Sequence, residues 1–283
     1  MDRALRRKIA NLIFVGLCLL GTAIAVISLF LILWSLFSQG IGGLNIKIFT
    51  MSTPAAGSEG GLLNAIIGSL EMCGVGMLIA VVIGILAGTW LAEIGGDTPF
   101  GHALRFLNDV LLAAPSILIG VFVAEVLVTG SPFALGHFSG WAGVAALAIL
   151  ATPVVTRTTE DILNLQPNAL REAGMALGGS QFVTIRKIIW KAAGTGLLTG
   201  GLLGFARISG ETAPLLFTAL GNQFFNADLT KPTESLPHVM YVFANEPYDD
   251  LRQLAWVAAL LVAVAVLGVN ILGRWLARDK TNS

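Results

Sequence analysis

The sequence predicts an all-α polytopic membrane protein with six transmembrane helices, and three observations carry that prediction. Of its 283 residues, 55% are hydrophobic and only 12% charged, with a mean hydropathy of +0.80. A soluble fold needs far more charge to cover its surface. Six apolar stretches approach or exceed the ~20 residues that a helix needs to cross a hydrocarbon core of roughly 30 Å. Basic residues concentrate at alternate ends of those stretches.

In chain order the expected spans run from Leu12 to Phe37, Met72 to Leu91, Val110 to Val128, Trp141 to Thr156, Ala192 to Ala213 and Leu254 to Leu276, within one transmembrane domain, 1–283. The first follows Arg3, Arg6, Arg7 and Lys8, and no charge occurs from Ile9 to Ile46. That run exceeds the apolar core of a cleavable leader, so it reads as an anchor. Before the second span, Leu62, Leu63, Ile66, Ile67 and Leu70 recur at helical spacing and predict a short helix at the outer interface. Stretches 38–61, 129–140 and 221–250, with Gly, Pro, Asn and acidic residues, read as solvated extracytoplasmic loops.

Charge orients the chain. Thirteen Lys and Arg residues flank the spans on the side of the termini and of loop 157–191; only Lys47, Lys231 and Arg252 fall on the other, with Arg207 inside the membrane. The positive-inside rule makes both termini and loop 157–191 cytoplasmic.

That loop is the most informative part of the sequence. Pro167 suits a first helical turn; Leu170, Ala173 and Leu177 form a small apolar stripe with Glu172 beside it. Gly178-Gly179 end the helix before a second begins near Gln181. A helix of this kind between two spans offers a grip to an external motor. The chain has no G-x-x-x-x-G-K-[ST] phosphate loop of its own, and it carries no plausible hydrolase motif. Cys18 and Cys73 read as packing residues, and His102, His137 and His238 as solvated loop residues too scattered to hold a metal. No cofactor, metal site or nucleic-acid partner is expected.

Ionisable residues within the spans each cost about 2.5–3.5 kcal/mol at a helix centre and call for a reason. Glu71, Glu125 and Asp109 read as interfacial groups that reach water. On the fifth span Gly196, Gly200, Gly204, Arg207 and Glu211 share an arc of roughly 80°. The glycines admit a close helix neighbour, and Glu211 stands one turn from Arg207, where it can pair with it. Two readings stand: a structural ion pair, or a polar element lining the route of a charged solute. Pro214, which frees a backbone carbonyl and bends the helix, leans toward the second.

The loop resembles the EAA loop of binding-protein-dependent ABC transporter permeases, whose pattern is E-A-A, three residues, G, nine residues, I-x-L-P. Glu172, Ala173, Gly178 and Ile188 match at that spacing, Gly174 stands for the second Ala, and Trp190 and Lys191 replace the Leu and Pro. Gly60 to Ser69, Ala114-Pro115-Ser116-Ile117 and above all Ala206 to Leu216 are similar to the phosphate-transporting branch of that family. The resemblance implies a type I ABC importer permease fold and an importer of inorganic phosphate in the bacterial plasma (inner) membrane. It also implies a heterodimer with a homologous permease subunit, a cytoplasmic ATPase dimer and an extracytoplasmic phosphate-binding protein. On that reading Arg207 and Glu211 line the transport pathway, Glu172, Ala173, Leu177 and Gly178 couple to the ATPase, and Gly196, Gly200 and Gly204 pack helices.

The energetics agree with an external motor. Importing a phosphate dianion against an inside-negative potential of 100 mV costs about 5 kcal/mol before any concentration gradient. Two rival classes remain. A molybdate or sulfate permease of the same family should lack the Arg207–Pro214 string; a proton-coupled secondary carrier leaves the cytoplasmic loop unexplained.

Overall fold

The computed structural model describes residues 3–130, 132 and 134–279. Among them the regular structure is helical: α1 (Arg3–Gly42), α2 (Leu63–Glu93), α3 (Pro99–Ala113), α4 (Ser116–Thr129), α5 (Gly140–Asn164), α6 (Asn168–Ala176), α7 (Gln181–Ala192), α8 (Gly194–Ser209), α9 (Ala213–Thr218), α10 (Leu236–Ala244) and α11 (Asp249–Asp279). Among the described residues four helices are long and apolar enough to cross a membrane: α1, α2, α5 and the Asp249–Trp275 part of α11. The number rises to six if α3 with α4, and α7 with α8, each count as one bent span.

Local chemistry sets the ends. Thr98, Ser139, Ser180 and Ser235 each accept a hydrogen bond from a backbone N–H of the first turn of α3, α5, α7 and α10, satisfying donors that have no partner inside a helix. Pro99 and Pro237 occupy first-turn positions where no donor is lost.

The structure departs from the sequence reading in four places. Leu63 to Leu70 are no separate interfacial helix but the first turns of α2, with Leu62, Ala65 and Gly68 buried. The third apolar stretch bends by 105° between α3 and α4, because Pro115 drives Ala114 into extended backbone, φ −67°, ψ 134°. The helix of the fifth, α8, does not stand alone but meets α7 at a bend of 74° at Ala193. Stretch 221–250 is not simply a solvated loop, since it contains α10, whose Leu236, Val239 and Phe243 join Leu62, Leu251 and Val257 in a buried cluster.

Helix α5 is the hub. Its Val144, Leu147, Leu150 and Ala151 form a core with Met72 and Ala80 of α2, Val123 of α4, Ile208 of α8 and Leu215 of α9. Close approach of α2 to α5 rests on glycine. A Cβ at Gly84 would lie 2.7 Å from the Val155 Cβ, and one at Gly88 2.6 Å from the Thr156 carbonyl oxygen. Helix α1 stands apart, touching α11 where Gly40 meets Leu260, and its most apolar stretch has no buried residue.

Candidate functional site

Two constellations hold the residues singled out in the sequence: the α6 loop at one end of the molecule, and the end of α8 toward the other.

In the loop, Pro167 precedes α6, and the helix ends where Gly178 adopts φ +81°, a conformation that costs a side chain about 1–2 kcal/mol. Gly178 N–H donates to the Met175 carbonyl at 2.9 Å and Gly179 N–H to that of Gly174 at 3.2 Å, closing the turn. Gly174 is buried, and a Cβ there would come within 2.6 Å of Thr184 Cγ2 and 2.9 Å of Ile188 Cδ1. The close crossing of α6 over α7 therefore accounts for glycine where the family pattern has alanine. Glu172 and Ala173 face outward, and Leu177 is 87% exposed. Leu170 instead packs against the cluster of Leu163, Ile189 and Ala193. The apolar stripe expected from the sequence is thus divided, its first residue anchoring the helix and the later ones lying open.

Sequence reasoning counted Arg171 as one orienting charge and did not single out Glu93. The structure joins them. Arg171 Nε and Nη2 donate to Glu93 Oε2 and Oε1 at 2.9 and 2.7 Å, and its remaining donors reach the carbonyls of Gln166 and Leu163, both at 2.8 Å. Glu93 is only 5% exposed. Its hydrogen bonds to Arg171 hold the guanidinium charged, pushing its pKa up from the usual arginine range. Gln181 Nε2 also donates to the Glu93 carbonyl at 3.0 Å. The partners lie far apart in sequence, and no local spacing could pair them.

At the other constellation α8 ends at Ser209, with Gly210 as its cap. Glu211 lies in the break before α9, and does not continue the helix as the sequence suggested. The pairing distance survives the break: Arg207 Nη1 lies 3.1 Å from Glu211 Oε1. Arg207 is 44% exposed and Glu211 11%, so part of the guanidinium donor edge stays open to an anion. Gly196, Gly200 and Gly204 face Ile162, Thr158 and Val155 of α5, with Gly204 also against Met77 of α2. Pro214 is buried in the first turn of α9, and a Cβ at Gly120 of α4 would meet its Cα at 2.5 Å.

Other ionisable residues divide. Glu125 and Asp109 are exposed, whereas Glu71 has one carboxylate oxygen buried without a hydrogen-bond partner. His238 is not a solvated loop residue: it is part-buried, with Nδ1 2.6 Å from Glu234 Oε1. Cys18 and Cys73 are unpaired, and among the described residues no cluster could hold a metal ion.

Comparison with known proteins gives a consistent answer. A family model described as "Binding-protein-dependent transport system inner membrane component" matches residues 80–282. The chain is 50% identical over 274 residues to the phosphate transport system permease protein PstA of Haemophilus influenzae, covering 97% of this chain and 96% of that one. It is 49% identical to PstA of Pasteurella multocida, covering 95% and 94%. Among solved structures, a chain of the MetNI methionine ABC transporter in an inward-facing conformation superimposes with a TM-score of 0.63 at 19% identity, over 77% of this chain and 95% of that one; the likeness is one of fold. With an all-helical architecture, two bent spans and the α6 loop between α5 and α7, this chain belongs to the family of inner-membrane permease components of binding-protein-dependent transport systems.

Proposed function

We propose that this chain is the permease subunit of an ATP-driven importer of inorganic phosphate. It contributes half of the translocation pathway, pairs with a homologous permease, receives phosphate from an extracytoplasmic phosphate-binding protein, and is driven by a separate cytoplasmic ATPase dimer. It spans the inner membrane six times, with both termini and the α6 loop in the cytoplasm. Relatives about half identical over nearly the whole chain, each a phosphate permease by name, support the substrate.

The observation that carries the reading is the half-open Arg207, paired with Glu211 where a bent span ends. Glu211 occupies one edge of the guanidinium and leaves other donors for an oxyanion. A carboxylate beside the path also discriminates. Protonated phosphate carries a hydrogen that Glu211 can accept, whereas sulfate at neutral pH carries none. On the cytoplasmic side, exposed Leu177 and Ala173 enter a groove on the ATPase and Glu172 makes polar contacts beside them.

Labelled-phosphate uptake into vesicles containing the complete importer tests the reading. Arg207→Gln should abolish uptake while the ATPase still co-purifies. Undiminished uptake by that variant makes the pair structural, and uptake surviving ATP depletion assigns the chain to a secondary carrier.

A further inference from the structure

The Arg171–Glu93 contact does more than hold a loop. Glu93 is the last residue of α2, and α2 is a single helix of 31 residues, about 46 Å long at 1.5 Å per residue. Its opposite end carries the outer loops. Asn64 Oδ1 accepts from Thr53 N–H at 3.0 Å, and its Nδ2 donates to Thr53 Oγ1 at 2.9 Å and to the Asn222 carbonyl at 2.7 Å. One turn further in, Ser69 Oγ accepts from Leu236 N–H at 2.8 Å, and the Glu234 carbonyl lies so close to Gly68 that a Cβ there would sit 2.1 Å from it. Between the ends, the glycines of α2 close it onto α5. The bent pairs α3–α4 and α7–α8 offer no such straight connection.

The geometry points to α6, α2 and α5 moving as one rigid lever, with Arg171 and Glu93 as positioning residues that pin the ATPase-facing helix to it. Motion imposed on α6 then reaches the loops around Thr53 and Asn222 without loss. The guanidinium suits this task because its fork is held on two sides at once, by a buried carboxylate of α2 and by carbonyls at the end of α5. Lysine keeps the charge but not the fork. This inference rests on the reading of α6 as the ATPase contact.

Two measurements on the assembled importer test it. In the first, phosphate transported per ATP hydrolysed is compared for wild type, Arg171→Lys and Glu93→Gln, with co-purification of the ATPase as the assembly control. Both variants should keep the ATPase bound and lose coupling by about fivefold or more; unchanged coupling in both, or release of the ATPase in both, overturns the proposal. In the second, spin labels at Ala176→Cys on α6 and Leu70→Cys on α2, with Cys18 and Cys73 replaced by alanine, report a distance that needs no substrate. Between nucleotide-free and ATP-bound states it should change by less than about 2 Å in wild type and by more in Arg171→Lys; a wild-type distance that changes with nucleotide sinks the lever. A wild type that hydrolyses ATP yet imports no phosphate refutes the proposed substrate alone, and the distance measurement still decides the lever.

Discussion

Arg105 Nε donates to Glu160 Oε1 at 2.6 Å, joining α3 to α5 through a carboxylate that is only 6% exposed. Arg105 also reaches the carbonyls of Gly96 in the α2–α3 connection and of Leu91 in the last turn of α2. Breaking one partner of such a pair strands a buried charge, which costs about 3–5 kcal/mol. Arg105→Ala should therefore lower the melting temperature of the purified protein clearly. Arg252→Ala removes a bridge to Asp249 that lies open to water and should barely move it. A double Arg105→Met, Glu160→Met variant should recover only part of the loss, since it leaves two carbonyls without their donor.

Gly174→Ala writes the family's usual residue into α6, yet here it should destabilise. The new methyl meets Thr184 Cγ2 at 2.6 Å and Ile188 Cδ1 at 2.9 Å, and overpacking of this kind costs about 1–3 kcal/mol. Thr184→Ala clears the space and removes a hydroxyl that is buried without a partner. The double variant should recover most of the loss, giving a favourable coupling in a thermal-unfolding double-mutant cycle. Strict additivity of the two changes would show that α6 and α7 are not held together at this point.

Gly178→Ala should loosen the end of α6 without touching its exposed residues. The backbone at Gly178 has φ +81° with open space around it, so the penalty is conformational, about 1–2 kcal/mol. Gly178→Asn should lose less, because asparagine tolerates the left-handed region. Hydrogen exchange of the α6 amides is the sensitive readout: faster in the alanine variant than in the asparagine variant, and slowest in wild type.

What was legible in the sequence follows from the range of the interactions. Helix α6, its proline start and its glycine stop could be read because caps and turns are set by neighbouring residues. The Arg207–Glu211 pair was legible for the same reason, although the end of α8 at Ser209 was not. Arg171–Glu93, Arg105–Glu160 and Asn64–Asn222 join residues far apart in the chain, and only the folded arrangement brings them together. Composition likewise marks 221–250 as polar, but burial of α10 depends on α11 and α2 arriving beside it.

Glycine separates the two kinds of information most sharply. The sequence drew attention to the evenly spaced Gly196, Gly200 and Gly204 of α8, yet those glycines face mainly side-chain atoms of their neighbours. On α2, by contrast, Gly88 opposes backbone: the Thr156 carbonyl oxygen lies at a would-be Cβ distance of 2.6 Å. A side chain can turn aside, but a carbonyl inside a helix cannot without breaking its hydrogen bond. Gly88→Ala should accordingly force α2 and α5 apart and cost about 1–3 kcal/mol, with loss of transport in the assembled importer. Gly74, on the same helix, has no atom within 4 Å of a would-be Cβ; Gly74→Ala should instead stabilise by about 0.5–1 kcal/mol through helix propensity alone. Thermal unfolding of the two variants side by side decides the matter, and equal shifts would mean that α2 and α5 are not packed as closely as the glycines require.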